Sequence, residues 1–188
     1  MSNDGPLPSS TSHELSRLVV VGTSGAGKST AGALLAAKLG SPFIELDELF
    51  WGPNWRPKPV ERFLSLVRGA SAQERWVVAG NYSSARGELW RRTSAIVWLN
   101  FSLPVVLRRV ILRSVRRVLF REVLWHGNRE SLVRTHFTRE SIVWWTITTH
   151  NQRRKQFSEL RDSGEFSHLR WFEFTHLIQV DRFLAAGG

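Results

Sequence analysis

Arg17-Leu18-Val19-Val20-Val21-Gly22-Thr23-Ser24-Gly25-Ala26-Gly27-Lys28-Ser29 is the stretch on which the reading of this chain turns. Its first five residues are a short apolar run rich in β-branched side chains, as a buried strand requires. The next eight satisfy GxxxxGK[ST], the Walker A pattern, in full. The spacing has a physical basis. Glycines let the backbone double back so that its N–H groups face phosphate oxygens. Lys28 reaches the β- and γ-phosphates as a point charge, and the Ser29 hydroxyl is set to ligate Mg²⁺. Thr30 continues into a helix predicted to reach Leu39, with Leu34, Leu35 and Leu39 inward and Gly40 and Pro42 as its stop. The helix N-terminus also favours the anion. Gly22, Thr23, Ser24, Gly25, Ala26, Gly27, Lys28, Ser29 and Thr30 are therefore expected to hold ATP with Mg²⁺.

Outward from this stretch, strand and helix patterns alternate. Phe43–Glu45, Trp76–Ala79, Ala95–Leu99 and Leu169–Phe174 read as further strands. Val60–Gly69, Leu103 to about Leu124, Ser141–Leu160 and Val180–Ala185 read as helices. Strands separated by helices argue for an α/β fold with a parallel sheet covered on both faces. Ligands of such sheets bind beyond the carboxyl ends of the strands, so the residues just after each strand matter most.

After the second strand stands Asp47, placed to accept the proton of an acceptor hydroxyl or to hold Mg²⁺ through water. Trp51 and Trp55 follow in a Gly/Pro loop, where they can stack on a flat substrate or cover the core. After the third strand, Asn81, Tyr82 and Arg86 are expected to bind the acceptor. The long helix after the fourth strand carries Arg109, Arg113, Arg116 and Arg117. At about 100° per residue these fall in one quadrant, opposite Leu107, Ile111, Val115 and Val118, which predicts an apolar core face and an arginine face. Arg121 and Arg129 extend the basic run. His126, His136 and His150 lack metal-ligand spacing and read as structural.

The 188 residues fit one domain, and the absence of cysteine excludes disulfides, thiolate metal sites and a cysteine nucleophile. No apolar run approaches the roughly 20 residues of a membrane span. Met1–Ser16 reads as a disordered leader ahead of a domain over 17–188, and a cytoplasmic location is expected. The formal net charge is +10. Such charge suits a site that neutralises phosphates, a nucleic-acid backbone or merely a solvated surface.

Five blocks carry a resemblance: Gly22–Ser29; Glu45-Leu46-Asp47-Glu48-Leu49-Phe50-Trp51 with Pro53-Asn54-Trp55; Gly80-Asn81-Tyr82-Ser83; Trp125-His126-Gly127-Asn128-Arg129-Glu130; and Ser141-Ile142-Val143-Trp144. In this order the chain resembles a bacterial group of P-loop proteins described as adenylate-kinase-like, or as DNA topology modulation proteins of the FlaR type. The group lies within the nucleoside monophosphate kinase-like proteins. The resemblance implies a three-layer P-loop fold with sheet order 2-3-1-4-5 and a helical, arginine-rich lid over about 113–140. It implies that Arg109 and Arg113 contact the nucleotide, that Arg86 contacts the acceptor and that residues 175–179 lie near the base. Ala79 and Asn100 stand where the group has Asp, so neither strand ends in the acidic residue expected to assist Mg²⁺.

The combined expectation is an ATP-dependent phosphotransferase acting on a small molecule, as a monomer or homodimer. Lys28, Asp47, Arg113 and Arg117 would be catalytic. Asp47, Trp51, Trp55, Asn81, Tyr82, Arg86 and Arg129 would face the acceptor, and Ser29 and Asp47 the metal. The alternative is a nucleic-acid-associated or regulatory P-loop ATPase.

Overall fold

A computed structural model describes residues 15–129 and 141–186. Its centre is a five-stranded sheet in which every strand pair is parallel, in the order β2-β3-β1-β4-β5. The strands are β1 (Arg17–Gly22), β2 (Phe43–Glu45), β3 (Trp76–Ala79), β4 (Ala95–Leu99) and β5 (Arg170–Phe174). Between and after them lie α1 (Lys28–Leu39), α2 (Leu46–Phe50), α3 (Val60–Ala70), α4 (Ser83–Trp90), α5 (Leu103–Leu119), α6 (Ile142–Asp162) and α7 (Leu177–Ala186). Two 3-10 turns, Pro53–Trp55 and Trp125–Gly127, interrupt the irregular segments.

The central strands are continuous apolar runs because both sheet faces are covered, and successive side chains alternate between two cores. Leu18, Val20, Val77 and Val97 join Leu35 of α1, Val106 of α5 and Val180 of α7 on one face. Val19, Val21, Val78 and Trp98 join Phe63 of α3, Leu89 of α4 and Phe157 of α6 on the other.

Four expectations change. The ordered chain starts before Arg17: Leu15 is buried in the first core, and Trp76 N–H donates to Ser16 O at 2.9 Å. Residues 1–14 lie outside the described residues. In α1, Leu34 is 52 % exposed, and Ala31, Leu35 and Ala36 form the buried side. Helix α5 stops at Leu119 rather than near Leu124. Arg121 adopts φ 47°, Arg121 N–H donates to Val118 O and Glu122 N–H to Arg117 O, a left-handed termination that closes the last turn.

The fourth change concerns how α5 faces. Its buried residues are Val106, Val110 and Ser114, whereas Ile111 and Val115 of the expected core side are exposed. Arg109, Arg113 and Arg117 border the buried side and are half-buried. On a 3.6-residue helix Val106 and Val110 share an arc with Arg113 and Arg117, so the arginine edge turns inward. Arg116 is exposed. Of the expected lid, residues 130–140 lie outside the described residues, as does His136.

Candidate active site

The turn from β1 to α1 builds a cradle. Gly22 has φ 150°, and a Cβ there would lie 2.6 Å from Leu99 O of β4. Gly25 has φ 81°, and its Cβ would meet Val106 O at 2.6 Å and Val110 Cγ2 at 2.4 Å. Only a residue without a side chain lets the loop lie this close to β4 and α5. Ala26 N–H donates to Thr23 O at 3.0 Å, closing the turn, and the Lys28 ammonium reaches back over the loop to Thr23 O at 3.3 Å. Arg109 Nη1 donates to Ala26 O at 2.9 Å and lies beside Gly27, with its guanidinium over the Phe101 ring. The root of α5 is thereby fixed to the cradle.

Asn81 fastens the other side. Gly22 N–H donates to Asn81 Oδ1 at 3.2 Å, and Asn81 Nδ2 donates to Gly22 O at 2.6 Å. Both ends of the amide serve the loop's architecture, so Asn81 supports the cradle where an acceptor contact was expected.

Charged groups converge above the cradle. Burial lowers the Lys28 pKa, the charges of Asp47 and Glu45 oppose that shift, and those of Arg113 and Arg153 add to it. Glu45, the last residue of β2, is 8 % exposed. Burial raises its carboxyl to about 7, a hydrogen bond with Ser29 opposes this, the Asp47 charge adds to it, and Lys28 opposes it. Ser29 therefore engages Glu45, where Asp47 was its expected companion. A carboxylate and a hydroxyl side by side at a helix N-terminus suit Mg²⁺, which keeps several waters and binds phosphate oxygens through the rest of its octahedron. Among the described residues no group of three or more His, Cys, Asp or Glu could hold a metal ion by itself.

Asp47, in the short helix α2, accepts a hydrogen bond from the Tyr82 hydroxyl at 2.6 Å. Burial and the neighbouring carboxylates hold the phenol well above its ordinary pKa. The Tyr82 hydroxyl thus fixes the Asp47 carboxylate. Phe50 and Phe63 pack on the Tyr82 ring, and Trp51 packs edge-on against Phe50 and Trp55.

Beside the Tyr82–Asp47 pair is a small cleft lined by Leu46, Gly80, Asn81, Tyr82, Arg86 and Phe157, among others. Arg86 lies over the Trp90 ring at 5.2 Å. Burial, then the charge of Arg153, lowers its pKa, while Glu165 opposes that. Arg153 on α6 is also half-buried and shifted the same way by burial.

Tyr82 and Arg86 line the cleft, Asp47 is bonded to Tyr82, Arg109 is bonded to the cradle, and the charges of Asp47 and Arg113 act on Lys28. Arg117, one turn beyond Arg113, lies 3.8 Å from Glu122. Arg129 enters through its backbone, its carbonyl accepting from Trp55 Nε1 at 3.2 Å. In the turn after β5, Gln179 Oε1 accepts from Thr175 N and His176 N. His150 is buried and donates from Nε2 to Phe101 O at 3.0 Å, a structural bond. Glu45 and Arg153 were not foreseen as site residues. An acid closing an apolar strand two residues before Asp47 was a usable signal; Arg153, on a helix more than a hundred residues later, offered none.

The sequence profile of the shikimate kinase family matches residues 24–56, the cradle through the Trp55 loop. No curated protein sequence matches. Among solved structures, a gluconokinase from Sinorhizobium meliloti 1021 superposes with a TM-score of 0.53 at 22 % identity, covering 92 % of this chain and 91 % of that one. A shikimate kinase from Bacteroides thetaiotaomicron gives 0.53 at 19 % identity, over 90 % and 94 %. A shikimate kinase from Acinetobacter baumannii, in complex with shikimate, gives 0.50 at 17 % identity, over 93 % and 92 %. With its sheet order and cradle, the chain has the fold of the P-loop kinases.

Proposed function

We propose that this chain is an ATP-dependent small-molecule kinase whose acceptor is a hydroxyl compound bearing a carboxylate or phosphate. The observation that carries the reading is the pairing of an anion cradle with a fixed carboxylate. Lys28 stands over the loop, and Asp47 is held beside it by Tyr82. Lys28, with Arg113, neutralises charge on the γ-phosphoryl group as it leaves ADP. Asp47 takes the acceptor's hydroxyl proton through the oxygen that Tyr82 leaves open. Ser29 and Glu45 are the residues that would hold Mg²⁺ with the nucleotide, and the ion would neutralise phosphate charge there. Arg117, paired with Glu122, is the more distant arginine of the same helix.

The acceptor class follows from charge. Arg86 and Arg153 are partly desolvated and within reach of each other's field, with Lys28 beyond. Neighbouring cations in a cleft are relieved by an anion, and a forked guanidinium suits carboxylate or phosphate oxygens. Shikimate and gluconate, which the neighbours' names point to, are both hydroxy acids. Residues 175–179 remain the proposed base-side turn.

The Asp47–Trp51 and Gly80–Ser83 blocks support a place beside the FlaR-type group within this fold. The net charge of +10 favours, as the second reading, a regulatory ATPase that grips nucleic acid. A panel of hydroxy acids, phosphorylated sugars and neutral sugars, with ADP release as readout, tests the choice. The kinase reading expects release that depends on an anionic acceptor. Release that is independent of every acceptor, with tight and salt-sensitive DNA binding, would support the second reading instead.

A further inference from the structure

The Trp125–Arg129 block has no part in the chemistry above, yet it is fastened to the loop that carries Trp51 and Trp55. That loop carries backbone strain. Asn54 and Trp55 both sit at positive φ, 58° and 56°, in the left-handed region that non-glycine residues avoid. Its internal support is a bridge between Trp51 and Pro57, Gly52 N–H to Arg56 O at 2.8 Å, Arg56 N–H to Pro53 O at 3.3 Å, Lys58 N–H to Phe50 O at 2.9 Å and the Lys58 ammonium on Trp51 O.

Across the Pro53–Trp55 turn itself, support comes from more than seventy residues away. Asn128 is 5 % exposed. Its Nδ2 donates to Gly52 O at 2.9 Å, and its Oδ1 accepts from Trp55 N–H at 3.0 Å. One side-chain amide thus spans the Pro53–Trp55 turn, satisfying a carbonyl at its start and an N–H at its end. Asn128 O accepts from Leu124 N–H at 2.7 Å, which shapes the block itself. Trp55 Nε1 donates to Arg129 O, and His126 Nε2 to Glu48 O at 3.0 Å. His126 also has positive φ, 56°. Two strained turns face each other, and each is kept in place by the other.

We propose that Asn128 is a positioning residue for the acceptor loop, and that the Trp125–Arg129 block sets acceptor affinity without touching the transferred phosphoryl group. The kinetic part rests on the kinase reading, which places Trp51 and Asp47 on the acceptor side; the structural part does not. The block directly follows α5, whose Arg109 holds the cradle, so one covalent segment reaches both substrate sides.

The test compares the full-length chain with Asn128→Ala, which removes both bonds, and Asn128→Asp, which keeps the acceptor oxygen but sets a carboxylate against Gly52 O. Amide hydrogen exchange is read on peptides over 50–58 and, as a control, over β1. Affinity for Mg²⁺ and a non-hydrolysable ATP analogue is read by calorimetry, and steady-state constants with shikimate and with gluconate. Asn128→Ala is expected to speed exchange over 50–58 by about tenfold or more, the loss of two buried hydrogen bonds. Exchange in β1 and nucleotide affinity should stay within about twofold, and KM for the acceptor should rise about tenfold with kcat little changed. Asn128→Asp should lie between the wild type and Asn128→Ala.

Unchanged exchange over 50–58 in Asn128→Ala would overturn the proposal. So would acceleration that spreads equally to β1 in both variants, because Asn128 would then serve the whole fold. If the wild-type chain phosphorylates neither acid, the acceptor reading fails while the exchange result still decides the positioning role.

Discussion

The phosphate cradle follows β1 and the proposed acceptor loop follows β2, with β3 between the two strands, and they are built in opposite ways. The cradle is local: thirteen consecutive residues, Arg17–Ser29, supply the strand, the turn, the ammonium and the hydroxyl. Distant groups only fasten it, Asn81 at Gly22 and Arg109 at Ala26. The acceptor loop is composite. Its aromatic residues come from 50–55, its carboxylate is bonded to Tyr82, the cations proposed for it are Arg86 and Arg153, and the Asn128 amide spans its turn. A phosphate tail is the same in every nucleoside triphosphate, so one short motif serves it. An acceptor is particular, and its recognition is assembled from whatever the fold brings together.

Substitutions can break this contrast, and the largest effect belongs to the local half. Lys28→Ala is expected to cut phosphoryl transfer by roughly 10³-fold, as loss of a preorganised charge at the moving group does. Circular dichroism should show an unchanged fold. Asp47→Asn keeps an oxygen to accept from Tyr82 but loses the proton acceptor. Turnover should fall by about 10²–10³-fold, with nucleotide affinity measured by calorimetry little altered.

Gly25→Ala sharpens the contrast through stability. Its Cβ would collide with Val106 O and Val110 in a backbone region that L-residues avoid, so denaturant titration should show a loss of about 2–4 kcal/mol. An equivalent collision is not expected anywhere in the acceptor loop, where Gly52 has more room.

The smallest effect depends on pH. Glu45 titrates near 7 in the fold and near 4.5 in the ordinary case. The folded value is the higher one, so the fold favours the protonated carboxyl. Below about pH 4.5 the group costs nothing. The cost grows as pH rises to about 7 and is constant above. Glu45→Gln should therefore stabilise the nucleotide-free chain by about 1–3 kcal/mol at pH 8 and by almost nothing at pH 4. The same variant should weaken Mg²⁺-dependent nucleotide binding at pH 8, where the wild-type carboxylate is ionised. Urea titrations at the two pH values, with and without Mg²⁺ and nucleotide, check both signs.

The contrast also explains what could be read in the sequence. The strands were legible because β1, β3 and β4 are apolar runs and β2 and β5 are short, apolar- and aromatic-rich segments between helical patterns, and the cradle was legible because its spacing is rigid. Asp47 was found from its place after a strand. The facing of α5 differs from the expectation because the helix carries a second apolar pair, Val106 and Val110, on the arc of Arg113 and Arg117, and hydropathy alone cannot choose between two apolar arcs. The short helices α2 and α4, of 5 and 8 residues, are too short to show a repeating apolar face. Arg153 and Asn128 act through tertiary contacts that bring residues some seventy to more than a hundred positions apart together, and no local pattern encodes such a meeting.

Phosphorus NMR of the reaction with Mg²⁺–ATP and a hydroxy acid such as shikimate or gluconate tests the central claim most directly. The account predicts a new phosphate-ester resonance that grows in step with ADP and is absent with Lys28→Ala. Growth of inorganic phosphate alone, at the same rate with and without each acid, would contradict it.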